Sequence, residues 1–167
     1  MSLVDILILM IFPSAMVFAL ASDMFTMTIS NRVSLGLIAG FGLMALLMGM
    51  PPGMMLDHAS AGFAVLMVGF LLFWAGWIGG GDAKLAAATA LWLGFPHLLD
   101  YVVMFSLYGG LLTIIIVLAR AYPLPGMLTG QEWALRLHQP RGDIPYAIAL
   151  GLAGLQIYPN TLWMSGF

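Results

Sequence analysis

Long apolar runs alternate along the chain with short breaks that contain glycine, proline or charged residues. A membrane-spanning α-helix needs about 20 mostly apolar residues, and most of the runs approach that length. The pattern predicts an all-α, polytopic membrane helix bundle that forms one domain over residues 1–167. We expect about six transmembrane helices, at roughly 3–21, 33–50, 59–78, 85–99, 101–119 and 144–163. The run 85–99 is short, so both a full span and a partly re-entrant segment remain open.

The composition supports a membrane protein and excludes several other classes. Hydrophobic residues make up 62% of the chain and charged residues only 7%, whereas soluble domains carry about 25% charged residues. An ordinary soluble enzyme, a disordered protein and a nucleic-acid-binding protein are therefore excluded. The chain has no cysteine, which excludes disulfides and thiolate chemistry. His58, His97 and His138 lack metal-ligand spacing, so we expect surface histidines and neither a metal nor a cofactor.

The positive charges predict the orientation of the bundle. Arg32 follows the first predicted span, Lys84 follows the third, and Arg120, Arg136 and Arg141 follow the fifth. With six spans, all five lie on one face, which the positive-inside rule makes cytoplasmic. Both termini are then expected outside. No basic residue precedes the first run, so we interpret it as a permanent span and not as a cleavable signal peptide.

The longest connection, residues 120–143, is expected to be a cytoplasmic loop. Thr129 and Glu132 have the spacing of a capping box, which predicts a short helix. Trp133 would anchor this helix in the membrane interface. A plain polar loop explains the segment equally well.

Two carboxylates are expected at the same cytoplasmic boundary. Asp23 follows the first span and Asp82 follows the third, whereas the other acids of the predicted spans and their ends, Asp5, Asp57 and Asp100, are assigned to the opposite face. Two close carboxylates can share a proton, so that one takes a proton from water while the other protonates a carbonyl or a leaving amine. The pattern therefore indicates a candidate acid–base pair.

Structural roles explain some of these residues as well. Asp23 could be a solvated carboxylate at a helix end, and Asp82 could be the N-cap of the fourth helix. Asp143 is a third candidate carboxylate, but an N-cap role in front of Pro145, in the first turn of the sixth helix, accounts for it. Lys84 could extend towards lipid phosphates, or it could hold a carboxylate or substrate.

Three segments together resemble the type IV prepilin peptidase family, whose members are aspartic membrane proteases with a Gly-x-Gly-Asp motif. Asp23 precedes Asn31-Arg32 by eight residues, as in that family's first aspartate region. Gly79-Gly80-Gly81-Asp82-Ala83-Lys84 is similar to the Gly-x-Gly-Asp-x-Lys motif. The segment 144–151, which contains Pro145, is similar to the start of the family's C-terminal helix.

The resemblance implies an inner-membrane endopeptidase of bacteria that removes the leader peptide of pilin or pseudopilin precursors at the cytoplasmic face. Asp23 and Asp82 would be catalytic. The other residues implied at the site, in binding or structural roles, are Asn31, Gly79, Gly80, Gly81, Lys84 and Pro145. The expected partners are a prepilin substrate and membrane lipid, without nucleic acid.

The chain also departs from the family pattern. Ser30 stands where the family commonly has proline, and residues 24–28 contain no basic side chain. The absence of a cysteine-containing N-terminal region resembles the short, peptidase-only branch associated with Flp-type, tight-adherence pili. Methyl transfer to the new N-terminus is therefore not expected.

Two functions of other classes remain alternatives. A small transporter or channel subunit could use boundary acids and glycine-broken helices. A noncatalytic assembly partner of a pilus or secretion machine would need neither aspartate. Flux across liposomes without a cleavable substrate would indicate the transporter or channel. Function that survives replacement of both aspartates would indicate the assembly partner.

Overall fold

The computed structural model describes residues 3–140 and 142–165, and the described residues are almost all helical. Arg141 and both chain termini, on which part of the predicted orientation rests, lie outside them. The α-helices are α1 (Leu3–Thr26), α2 (Asn31–Leu47), α3 (Pro52–Trp74), α4 (Gly80–Arg120), α5 (Glu132–Leu137), α6 (Ala147–Ile157) and α7 (Leu162–Ser165). Two 3-10 turns, Gly126–Leu128 and Tyr158–Asn160, complete the described secondary structure. The predicted all-α class is confirmed.

Three described helices, α1, α3 and α4, are long and apolar enough to cross a membrane. α2 is apolar but shorter, and the predicted span at 144–163 does not form a single helix. That segment contains the 11-residue helix α6, a 3-10 turn that begins at Tyr158, and the short helix α7. Pro159 interrupts the segment because its ring nitrogen carries no hydrogen to continue the helical bonding. The number of membrane crossings stays a prediction.

The predicted break between the fourth and fifth spans occurs at Gly94 and not at Asp100. Gly94 has φ 70° and ψ 176°, so α4 consists of two helices, residues 80–93 and 95–120, joined at a kink. Positive φ favours glycine, and Pro96 cannot supply a helical hydrogen bond. Residues from both sides of the kink line one cavity, so the chain folds back on itself. Residues 80–93 are about 21 Å long at 1.5 Å per residue.

Two side chains satisfy the carbonyl groups that the kink frees. The ring of His58 donates from Nδ1 to the Leu91 carbonyl at 2.8 Å, and Trp163 Nε1 donates to the Trp92 carbonyl at 2.7 Å. A buried carbonyl without a partner costs about 1–3 kcal/mol, so these contacts stabilise the kink. His58 is only 2% exposed, and the prediction of a surface histidine is wrong for this residue.

An aromatic cluster fills the core at the end of the bundle that holds the kink. Phe12 stacks on Tyr158 with ring centroids 4.4 Å apart, and Trp92 packs against Trp163 at 5.0 Å. Trp92 also donates from Nε1 to the Leu37 carbonyl at 2.9 Å. Phe41 of α2 also packs against Trp92, with ring centroids 6.1 Å apart. The cluster therefore joins α1, α2, α4 and the C-terminal segment.

The loop after α4 contains the predicted short helix, but with a different cap. α5 begins at Glu132, its N-cap is Gln131 without a side-chain bond, and the Thr129 hydroxyl donates to the Gly126 carbonyl instead. The predicted capping box is therefore wrong. Arg120 organises the loop by donating to the carbonyl groups of Leu137, Gly142 and Asp143 at 2.7, 3.0 and 3.2 Å.

Candidate carboxylate site

Asp23 is a buried helical residue and not a solvated loop carboxylate. It lies in the last turn of α1 and is 6% exposed. Its Oδ2 accepts a hydrogen bond from the backbone N–H of Ala147, the first residue of α6, at 2.9 Å. The N-terminus of a helix presents unpaired N–H groups and a partial positive charge, both of which favour a carboxylate. Asp23, a residue of α1, thus caps the N-terminus of α6 by accepting a hydrogen bond from its first N–H group.

Asp143 does not cap α6, contrary to the sequence-based expectation. The N-cap position is Tyr146, which makes no side-chain cap bond, and the Asp143 side chain is exposed. Pro145, in contrast, is fully buried and directly precedes Tyr146. The proline ring restricts the backbone angle φ, and this rigidity helps to orient the Ala147 N–H towards Asp23.

The C-terminal end of α1, next to Asp23, is closed by Met27 and contacted by Arg136. Met27 closes the helix with φ 54°, and its N–H donates to the Asp23 carbonyl at 2.8 Å. Arg136 donates from Nη2 to the Phe25 carbonyl at 3.0 Å and from Nη1 to the Thr26 carbonyl at 3.5 Å. A cation at a helix C-terminus is favourable. The sequence did not predict this contact, because Arg136 is 111 residues from Phe25 along the chain.

Asp82 occupies the third position of α4. The N-cap is Gly79, so the predicted N-cap role of Asp82 is wrong. The carboxylate of Asp82 hydrogen-bonds to the backbone of Gly79, as the acidic half of a capping box does. This contact turns the carboxylate back over the start of its own helix.

The three glycines before Asp82 permit close packing. None of them has positive φ. A Cβ at Gly79 would lie 2.9 Å from Asp82 Oδ2, and one at Gly81 would lie 3.1 Å from Ile29 Cβ. The first contact explains why a side chain at position 79 would displace the Asp82 carboxylate.

The fold brings Asp23 and Asp82 to the same end of the bundle. Asp23 accepts its hydrogen bond from Ala147, and Tyr146, the residue before Ala147, lines the same cavity as Asp82. The two carboxylates therefore lie close together, although the helices α2 and α3 separate them along the chain. Two carboxylates in such proximity form the arrangement that shares a proton in acid–base chemistry. No three His, Asp or Glu side chains among the described residues converge as a metal site would require.

Lys84 and Asn31 form a separate contact near this pair. Lys84 Nζ donates to Asn31 Oδ1 at 2.9 Å and joins the start of α4 to the start of α2. Residues two positions apart on a helix point to different faces. Lys84 accordingly lines a cavity of about 570 Å³ between α2, α3 and α4, whereas Asp82 lines another. In the described part of the chain Lys84 makes no ion pair with a carboxylate.

The cavity beside Asp82 is the larger of the two, at about 750 Å³. Its walls come from α3, both parts of α4 and the start of α6. Besides Asp82, the polar side chains at its wall include Tyr101, Ser106 and Tyr146. The sequence-based predictions named neither tyrosine as a site residue. Tyr101 comes close to Asp82 because α4 folds back at Gly94, and Tyr146 does so because the start of α6 packs beside the start of α4.

The fold and the site define a membrane-embedded, all-helical protein that gathers two carboxylates from separate helices at one end. A model of the type IV leader peptidase family matches residues 10–118. The chain belongs to this family, and the family resemblance of its motifs is confirmed. The family indicates a peptidase with prepilin-type protein substrates. The matched range includes Asp23 and Asp82 and ends before Pro145. No curated protein and no solved structure matches the chain.

Proposed function

We propose that this protein is an aspartic endopeptidase that removes the leader peptide of Flp-like prepilins. The placement of Asp23 and Asp82 at the same end of the bundle, in a member of the leader peptidase family, is the observation that carries the proposal. The remaining site residues of the proposal are Asn31, Lys84, Pro145 and the glycines 79–81, all in positioning roles. Together with the two aspartates they belong to one peptidase domain over residues 1–167.

The proposed chemistry uses one proton shared between the two carboxylates. The ionised carboxylate takes a proton from water, whose oxygen attacks the carbonyl carbon of the scissile bond. The protonated carboxyl group polarises the carbonyl oxygen and supplies its proton as the C–N bond breaks. Water thus adds its oxygen to the leader's new carboxyl end, and the proton passes to the new amine. Because the pair titrates as a unit, neither residue is assigned a fixed role.

The contacts of the basic residues support a cytoplasmic location of the pair. Lys84 contacts the start of α2, where Arg32 also lies, and Arg136 contacts the end of α1. Arg120 holds the loop that leads to α6. All four described cations therefore lie at the end that carries Asp23, and the positive-inside rule makes that end cytoplasmic. We propose a multi-pass protein of the bacterial inner membrane with six apolar segments and both termini outside.

Cleavage of a co-expressed Flp-like precursor tests this function. The parent chain should convert the precursor to a faster-migrating form. Asp23→Asn and Asp82→Asn should each lower the rate by about a hundredfold to ten-thousandfold, since general acid–base groups contribute that much. Asp100→Asn is the matched control, because Asp100 is exposed and lies close to the kink. It should cleave normally at equal membrane expression.

Normal cleavage by either variant would contradict the catalytic role of that aspartate, and Asp143 would then be replaced. A parent chain that cleaves no Flp-like precursor would contradict the proposed substrate. Mass spectrometry of the product should find the cut at the leader junction, before the hydrophobic helix of the precursor.

A further inference from the structure

The groove beside Asp82 has the features of a binding site for a helix. Its two long walls are α3 and residues 95–120 of α4, and the kink at Gly94 holds the second wall away from the start of α4. Several lining residues are small, which lets the backbone of another helix approach closely. They are Ala64, Gly69, Ala83, Ala86, Gly109 and Gly110. Small residues alone would not identify a ligand, but this groove also contains the Asp82 carboxylate.

One end of the groove is more polar than the rest of its length. Asp82, Trp77 and Tyr146 lie at the end of the bundle where α3 ends and α6 begins, and Leu98 and Tyr101 lie towards the kink. Tryptophan and tyrosine are enriched at membrane–water interfaces. The groove therefore extends from a boundary with a carboxylate into an apolar region. In the proposed function, the leader junction of the precursor would lie at the carboxylate and its hydrophobic helix would lie in the apolar region.

We propose that this groove binds the hydrophobic helix of the prepilin substrate. Because Gly110 has no side chain, the groove at this position has room for a large side chain of the bound helix. The proposal rests on the proposed leader peptidase function. The groove between α2, α3 and α4 is the rival site, but no carboxylate lines it. A helix bound there would lie on the face of α4 that carries Lys84, away from the face that carries Asp82.

Gly110 allows the groove to be filled without disturbing the fold. It is exposed, and a Cβ built on it meets no atom within 4 Å. Gly109 next to it is unsuitable, because a Cβ there would lie 3.0 Å from the Tyr146 ring. Gly36 on α2 provides the matched control, since it is also a helical, exposed glycine with nothing within 4 Å and it lines neither groove.

The first experiment compares Gly110→Leu with Gly36→Leu in the precursor cleavage assay. Both substitutions gain the same helix propensity, so their stabilities should change alike. Gly110→Leu should lower the cleavage rate by about tenfold or more, because a misplaced substrate loses the geometry that cleavage requires. Gly36→Leu should cleave at the parent rate. Normal cleavage by Gly110→Leu would overturn the proposal while leaving the peptidase function intact.

The second experiment measures binding without cleavage. A photoreactive phenylalanine derivative is placed at Val68, on the wall of the proposed groove and 57% exposed, or at Ile38, on the wall of the rival groove and 50% exposed. The precursor carries a C-terminal tag, which remains on its helix after cleavage. We expect a cross-link from position 68 that Gly110→Leu abolishes. Cross-links from position 38 alone, or equally from both, would overturn the proposal even if Gly110→Leu fails to accumulate.

Discussion

Asp23 on α1 accepts a hydrogen bond from the backbone N–H of Ala147, 124 residues further along the chain. The contact joins the C-terminal turn of one helix to the N-terminal turn of another. A candidate catalytic carboxylate is therefore also a structural cap, and the two roles have to be separated experimentally.

The role of Asp23 as a cap can be separated from its role in cleavage by two substitutions. Asp23→Ala removes the acceptor and should lower the stability by about 1–2 kcal/mol, as loss of a helix cap does. Asp23→Asn keeps an oxygen acceptor and should unfold close to the parent temperature in detergent. Both variants should lose cleavage. Equal destabilisation by the two substitutions would contradict a cap that depends on a side-chain oxygen.

The contact between Lys84 and Asn31 should be measurable as a coupling energy. Lys84→Met and Asn31→Ala each remove one partner of the 2.9 Å hydrogen bond. A double-mutant cycle on unfolding in detergent should give a coupling of about 0.5–1.5 kcal/mol, the usual net value of such a bond. Strictly additive effects of the two substitutions would show that the contact does not hold α2 to α4.

The kink in α4 should depend on the hydrogen bond from His58. His58→Leu leaves the Leu91 carbonyl without its side-chain donor and should destabilise the protein by about 1–3 kcal/mol. His58→Asn has nearly the shape of the leucine variant but retains an N–H donor, so it should be the more stable of the two. Thermal unfolding in detergent provides the comparison. An asparagine variant less stable than the leucine variant would contradict the proposal that a side-chain donor at position 58 stabilises the kink.

Met27 should tolerate, and benefit from, glycine. Its φ of 54° places a side chain in the left-handed region, which costs about 1–2 kcal/mol for residues other than glycine. Met27→Gly should therefore raise the stability by about 1 kcal/mol, after the greater chain entropy of glycine is offset. Met27→Ala retains the strain and should show no gain. A glycine variant no more stable than the alanine variant would contradict this expectation.

The burial of His58 illustrates where sequence reasoning failed. A histidine beside Asp57 at a predicted helix end is typical of a surface position. α3 instead begins at Pro52, so His58 lies inside the helix. Its ring then meets a carbonyl freed by Gly94, 36 positions further along the chain. Nothing in the local pattern indicates that donor and acceptor would meet, because the need for the donor arises only when the kink forms.

The sequence by itself determined the helical class, the apolar character and the family of this protein. These properties follow from local composition and from short motifs such as Gly79–Lys84, which need no knowledge of distant contacts. Only the tertiary structure decided that Asp23 caps α6, that Asp82 and Lys84 face different grooves, and that α4 reverses at Gly94. The cap depends on a backbone N–H that remains unpaired at the start of α6 and is satisfied by a side chain far away in sequence. The two grooves and the reversal depend on how the helices pack around α4, which no local pattern specifies.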